Sequence, residues 1–322
     1  MPDYNLKETQ TLEYKRPDVV KGYADQTLYI NLGDNQIEIK PVAAETKKTF
    51  IGGKGYDLWL LWNAVQPSTR WNDPENALCI AAGPLGGTPI YPGSGKSIVA
   101  TLSPTTGSAM DSNVGGYFGP YLKFSGFDAL EIQGKSSKEM VVFIDGVNQK
   151  VQIFETSGLP ENAYELSAIL TEHFAQGKPR NISVVSAGPG AKNTLIGCLN
   201  FTWYDPKRKR ARYKQAGRGG VGTVFADKGL KAVVACWNNV TADTNAPADK
   251  ARLKTVAKMH SREVVELDPK QNEMSKIGTT HLVTIMNDHD LLPTHNFRYG
   301  RHAQAPNLGQ KVYRLLFDPG FD

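Results

Sequence analysis

Short apolar runs, each closed by a glycine or a polar turn, succeed one another along most of this chain, and the pattern changes only near its end. Residues 27–31 (TLYIN) and 37–41 (IEIKP), parted by Gly33-Asp34-Asn35, predict a β-hairpin. Further strands are predicted at 77–82 (ALCIAA, a buried one), Ser97–Leu102, Ala129–Gln133, 140–145, 151–154, 182–187, 195–201 and Leu230–Cys236. Helical spacing appears at 56–65, led in by Gly52-Gly53-Lys54-Gly55, and at 163–174, with Leu166, Ile169, Leu170 and Phe174 on one face. After a polar linker at 241–247, residues 248–267 and 280–287 read as helices. The pattern predicts an α+β protein: a polar arm at 1–25, a β-rich domain at 26–238, and the beginning of a helical domain at 239–322.

With 322 residues the chain can bury the cores of about two domains, and 40% hydrophobic with 21% charged residues is a globular composition. No apolar run approaches the roughly 18 residues of a membrane span. The start, Met1-Pro2-Asp3-Tyr4-Asn5, lacks the basic and apolar regions of a secretion signal, so a cytoplasmic protein is expected. Cys79, Cys198 and Cys236 lie far apart and form no C-x-x-C pair, which argues against a disulfide framework or a metal knuckle. The net charge of +5 is modest, and the run 207–212 (KRKRAR) can account for most of it. That run is either a solvated loop or the contact for an anion, such as a phosphorylated substrate or an acidic partner subunit. A nucleic-acid role would carry more basic surface and a recognisable module. The ending at 318–322 (DPGFD) has no closing helix or polar tail, so the chain reads as a fragment.

Candidate chemistry concentrates in three glycine stretches: 83–88 running into 92–96, 110–126, and 216–222. Glycines let a backbone approach a bulky ligand where a Cβ would collide, and three such stretches point to one large ligand; each alone could be a pair of turns. Arg218, between Gly217 and Gly219, offers a rigid fork beside open amides, suited to a phosphate or a planar heterocycle. Asn113 could give its carbonyl to a hard cation such as Mg²⁺, or simply close its own turn. Lys96 follows Pro92-Gly93-Ser94-Gly95 but lacks the P-loop spacing, and 217–222 lacks the context of a dinucleotide fingerprint. His260 shares an apolar stripe with Leu253, Val256 and Val264, which makes it either a core residue or a proton donor facing a cavity. The other histidines lack metal-site spacing, and no serine or cysteine nucleophile motif is present.

Taken in order, residues 80–88 (IAAGPLGGT), 103–107 (SPTTG), 113–119 (NVGGYFG), 122–128 (LKFSGFD), 216–222 (AGRGGVG) and 228–232 (KGLKA) resemble the aldehyde ferredoxin oxidoreductase family. Residues 277–280 (IGTT) and 292–297 (LPTHNF) are similar to that family's stretch ahead of its cluster cysteines. Within the family, the chain most resembles the tungsten-binding subunit of ATP-independent (class II) benzoyl-CoA reductases. The resemblance implies a pterin-binding base of two β-sheets and a tungsten ion held by two pterins near a [4Fe–4S] cluster whose ligands lie beyond residue 322. It implies that Asn113 and the backbone at Gly219 hold the Mg²⁺ bridging the pterin phosphates, and that Gly115, Gly116, Arg218 and Gly220 contact the pterins. Lys96 stands where aldehyde oxidoreductases carry an arginine, keeping the charge without the fork. The implied activity is reduction of the benzoyl-CoA ring to a cyclic diene, with aldehyde oxidation as the rival in the family and a non-catalytic pterin-binding module as the rival of another class. The implied partners are an iron–sulfur subunit or ferredoxin, in a hetero-oligomer acting on an aromatic acyl-CoA or an aldehyde.

Overall fold

The computed structural model describes residues 4–238, 244–271, 273–295 and 297–309. Two compact units divide the chain, Met1–Leu253 and Lys254–Asp322.

Two mixed sheets make the first unit. In one, β2 (Gln26–Asn31), β3 (Gln36–Pro41), β4 (Leu78–Ala81), β5 (Ser97–Leu102), β6 (Ala109–Val114) and β7 (Ala129–Gln133) stand in the order β3-β2-β7-β4-β5-β6. In the other, β1 (Asn5–Glu13), β8 (Glu139–Asp145), β9 (Lys150–Ser157), β10 (Ile182–Ser186), β11 (Leu199–Asp205), β12 (Arg210–Ala216) and β13 (Leu230–Cys236) stand in the order β1-β9-β8-β13-β10-β11-β12. Strands β4 and β13 are buried along their whole length, which is why their sequences, apart from Lys231, are continuous apolar runs rather than alternating ones.

Helices fill the space between the sheets and cover their outer faces. Between them lie α3 (Phe118–Phe124) and α5 (Val221–Asp227), whose Phe118, Leu122, Phe124, Val224 and Phe225 join one core with Leu78, Ile80, Val142 and Val233. Phe118 meets Phe201 edge-on at 5.6 Å, a geometry worth about 1 kcal/mol beyond the area it buries. Outside the six-stranded sheet, α1 (Ala44–Phe50) precedes α2 (Lys54–Ala64), which sets Tyr56, Leu60 and Leu61 on Cys79, Ala81 and Ala129. Outside the seven-stranded sheet, α4 (Ala163–Ala175) sets Leu166 and Leu170 on Val141, Val184 and Val234. Asn162 caps α4, its side chain accepting from the main-chain N of Tyr164 and Glu165.

The second unit takes up α6 (Lys250–Gln271) after its first turn, then α7 (Met274–Ile277) and α8 (Leu282–Asp288). Among the described residues no helix is long and apolar enough to cross a membrane.

The fold differs from the sequence expectations at several points. The residues expected as an arm, 1–25, supply β1, which pairs antiparallel with β9. Its polar sequence suits an edge strand, and Tyr14 Oη donating to Ser125 O (2.6 Å) and Arg16 to Gly146 O (2.8 Å) fasten the segment that follows. The first unit runs to Leu253 rather than 238, and residues 241–243 of the expected linker lie outside the described residues. The strand expected at 195–201 starts four residues later, because Leu195 and Ile196 are exposed. The basic run 207–212 is no plain loop: it forms the tip and far strand of the β11–β12 hairpin.

Three lysines are buried in this unit, Lys231 beside the carboxylates of Glu139 and Glu161 and two others among carbonyl oxygens. Lys123 donates to Gly83 O, Gly86 O and Asn245 Oδ1, and Lys228 to Pro74 O and Gly134 O. Burial lowers both ammonium groups to about 8. Unfolded lysines hold their protons to about pH 10.4, so above pH 8 the unfolded state binds more protons and stability rises with pH, by about 1 kcal/mol per lysine per pH unit. Above about pH 10 burial acts the other way: the phenols of Tyr14, Tyr56 and Tyr121 are pushed up and keep protons that unfolded tyrosines release. Thermal melts near pH 7, 9 and 11 are expected to give the highest midpoint near pH 9. A steady fall across that range would refute the depressed lysines.

Candidate functional site

The three glycine stretches converge at one end of the six-stranded sheet. Ala81, Ile98 and Asn113 stand opposite one another across β4, β5 and β6. Strands β4 and β6 run the same way, so Gly83 and Gly115, each two residues further on, leave the sheet at the same end, about 10 Å apart at ordinary strand spacing. Lys96 enters β5 between them. The third stretch arrives from the other sheet: the main-chain N of Arg218 donates to Ser112 Oγ at 3.1 Å. The start of α2 closes the group, with Gly53 N donating to Ala82 O at 3.2 Å and Lys54 Nζ at 2.7 Å from Asp111 Oδ1.

Packing explains some of these glycines and not others. Gly219 has a φ of 66°, and a Cβ there would lie 2.4 Å from Met110 Cγ. Gly83, Gly115 and Gly217 are unlike it, since none has a left-handed φ. A Cβ would meet nothing within 4 Å at Gly83 or Gly217, and at Gly115 only Lys214 Cγ at 3.7 Å. The fold therefore does not need these three glycines, one from each stretch, whereas a ligand laid against the backbone would.

The polar side chains beside them face solvent. Lys96, Asn113 and Arg218 are exposed, and none of their side chains forms a hydrogen bond or ion pair with another described residue. An amide oxygen, a guanidinium fork, an ammonium and open main-chain groups can together hold phosphates and a hard cation. Among the described residues no group of three or more His, Cys, Asp or Glu could hold a metal. A cavity of about 600 Å³ adjoins the glycine end, lined by Gly87, Thr88, Ser94, Gly95, Tyr117 and Trp237.

Two groups here escape a reading of the sequence. Lys123 grips the loop after β4 from below, its Nζ 2.5 Å from Gly83 O and 3.1 Å from Gly86 O. A lysine between Leu122 and Phe124 was the available signal, because only an internal partner keeps such a residue buried. Asp57, in the first turn of α2, is fully buried, and burial pushes its carboxyl well above the ordinary range. His260 belongs to the second unit, half-buried on α6; Leu253 and Val256 of its stripe are half-buried too, while Val264 is 65% exposed.

Residues 27–236 match the aldehyde ferredoxin oxidoreductase N-terminal domain. The chain belongs to the aldehyde ferredoxin oxidoreductase family. It is 34% identical over 281 residues to the tungsten-containing aldehyde ferredoxin oxidoreductase of Pyrococcus horikoshii, covering 87% of this chain and 43% of that protein. The aliphatic sulfonate oxidoreductase, WOR-like subunit, of Pyrococcus furiosus is 27% identical over 258 residues, covering 76% of this chain and 39% of that one. Among solved structures, the active-site complex BamBC of benzoyl-coenzyme A reductase with 1,5-dienoyl-CoA matches with a TM-score of 0.60 and 29% identity, over 69% of this chain and 32% of that chain. The chain thus spans less than half the length of these relatives. The aldehyde ferredoxin oxidoreductase motifs at 80–88, 113–119 and 216–222 are the stretches that converge at the sheet end.

Proposed function

We propose that this chain forms the cofactor-holding base of a tungsten bis-pterin oxidoreductase. The observation that carries the reading is the meeting of Gly83, Gly115 and Gly217, three glycines that the fold itself does not require. In this reading Asn113 and the backbone at Gly219 would hold a Mg²⁺ that offsets the charge of the pterin phosphates. Arg218 and Lys96 balance the phosphate charge, Gly115 and Gly116 let the pterins lie against the backbone, and Gly220, which packing requires, starts α5 beside them. The bound group supplies the electron transfer, fed through a [4Fe–4S] cluster from an iron–sulfur subunit or ferredoxin. His260 is the proposed proton donor.

The substrate proposed is benzoyl-CoA, its ring reduced to a cyclic dienoyl-CoA. The likeness to BamBC and the basic β11–β12 hairpin support it. The 34% identity to a tungsten-containing aldehyde ferredoxin oxidoreductase favours a second reading, oxidation of an aldehyde to a carboxylate.

Elemental analysis of the full-length protein, purified without oxygen, tests the proposal. Tungsten and magnesium are expected together, and Asn113→Ala is expected to lower both by tenfold or more in protein that melts normally. Well-folded wild-type protein with neither tungsten nor molybdenum overturns the reading. Turnover of benzoyl-CoA or its diene, against turnover of aldehydes, separates the two substrates.

A further inference from the structure

Strand β12 departs from the pattern of its sheet. Tyr213 turns to the outer face, its ring 4.4 Å from that of Tyr164 on α4. Arg210, Arg212 and Lys214 therefore turn to the inner face, as does Ala216, which belongs to the central core. Their cross-strand partners agree, since residues directly opposite share a face: Asp205, Trp203 and Phe201. Phe201 lies in the core, and the Trp203 ring stands 5.7 Å from that of Tyr117. Elsewhere that inner face carries Val142, Val185 and Val233. One inward charge would protect an exposed edge from pairing with another chain; three successive cations exceed that need.

These cations lead to the glycine end. Lys214 Cγ is the atom nearest the position of a Cβ on Gly115, and Tyr117 lines the adjoining cavity. Buried Asp205 braces the hairpin turn, accepting from the main-chain N of Lys207 (3.0 Å) and Arg208 (3.2 Å) and from the Arg208 guanidinium (2.9 Å). Arg212 stands 3.8 Å from the same carboxylate, while Arg210 and Lys214 form no ion pair with a described residue.

We propose that Arg210, Arg212 and Lys214, with Trp203 and Tyr117 beside them, bind the phosphorylated adenosine end of a coenzyme A thioester and direct its acyl end toward the glycine cradle. The inference rests on the CoA-thioester reading given above. Alternate strand residues are about 7 Å apart, so the three cations cover about 13 Å, the scale of a diphosphate with a further phosphate on the ribose. Guanidinium forks take phosphate oxygens in pairs, and the two rings offer adenine a stacking face.

The test uses the full-length protein, purified without oxygen, with adenosine 3′,5′-bisphosphate as the probe in titration calorimetry. Wild-type protein is expected to bind it, more weakly as salt rises, and the double variant Arg210→Ser, Arg212→Ser to lose at least about tenfold in affinity. Both side chains are at the surface, so a wild-type melting temperature and tungsten content identify a folded variant. Unchanged affinity in such a variant overturns the proposal. So does unchanged affinity with slowed electron transfer from an acidic carrier protein, which would make the face a protein dock. Wild-type protein that holds tungsten and oxidises aldehydes but ignores the bisphosphate refutes this inference and leaves the oxidoreductase standing. Tungsten-free protein that binds the bisphosphate through these arginines refutes the oxidoreductase and leaves the track.

Discussion

Gly220→Ala is expected to leave little folded protein, although it adds one methyl group. Gly220 begins α5 with φ 69° and ψ 25°, a left-handed conformation that costs an L-residue about 1–2 kcal/mol. The added Cβ would stand 2.2 Å from Leu195 O and 2.6 Å from Pro104 Cγ. A carbonyl oxygen and a proline ring cannot rotate away, so the start of α5 must move. Val221, Val224 and Phe225 are fully buried immediately after it, and their displacement opens the core between the sheets. Strain and lost packing together should reach about 4 kcal/mol or more, a large part of a typical domain's stability. The matched control is Gly217→Ala, three residues earlier in the same stretch, where a Cβ meets nothing within 4 Å. That variant is expected to unfold in urea within about 0.5 kcal/mol of wild type while losing tungsten. Equal stabilities for the two variants would mean that the stretch is a simple turn and that packing does not distinguish its glycines.

That contrast marks the limit of what the sequence discloses about the site. Six collinear motifs between 80 and 232 were enough to name the family, and that resemblance, more than the glycine density of 110–126 and 216–222, pointed to Asn113, Gly115, Gly116, Arg218, Gly219 and Gly220 as candidates. Which glycines the fold demands depends on what lies opposite a missing Cβ, and no local pattern holds that information. The same holds for the short helices. Phe118-Gly119-Pro120 and Val221-Gly222-Thr223 read as turns, yet both open helices, because the core between the sheets takes Phe118, Leu122, Val224 and Phe225 whatever their propensity. Strands buried on both faces, β4 and β13, were legible because burial alone dictates their composition. Edge strands β1 and β12 were not, since their backbones pair on one side only and their side chains are free to be polar or basic. The stripe around His260 is the converse case: its helical spacing is clean in the sequence, and it ends on Val264, which is exposed.

Lys123→Met should loosen the site from beneath, through the carbonyl of Gly83, without replacing any residue proposed to meet the cofactor. The substitution keeps an unbranched chain of similar length, so the cavity left is small, and burying the methionine tip returns about 1–2 kcal/mol. What is lost is the donor. Gly86 O, 3.1 Å from Nζ, would be left unpaired at about 1–3 kcal/mol, and Gly83 O, 2.5 Å from Nζ, would keep Gly86 N but lose a hydrogen bond from a charged donor, about 1.5–3 kcal/mol more. A net loss of about 2–4 kcal/mol at pH 7 is expected in urea unfolding. Because Gly86 N donates to Gly83 O and Gly87 N to Ser94 O, faster hydrogen exchange should appear first at Gly86 and Gly87, along with reduced tungsten content. The pH dependence separates this account from simple packing damage. Burial lowers the Lys123 ammonium to about 8, so wild-type protein gains stability from this residue as pH rises above that value, and the methionine variant cannot. The penalty should therefore grow between pH 7 and about pH 9.5. A penalty that shrinks over that range would mean that the three acceptors hold the ammonium charged, with the electrostatic grip on Gly83 outweighing the cost of burying the charge.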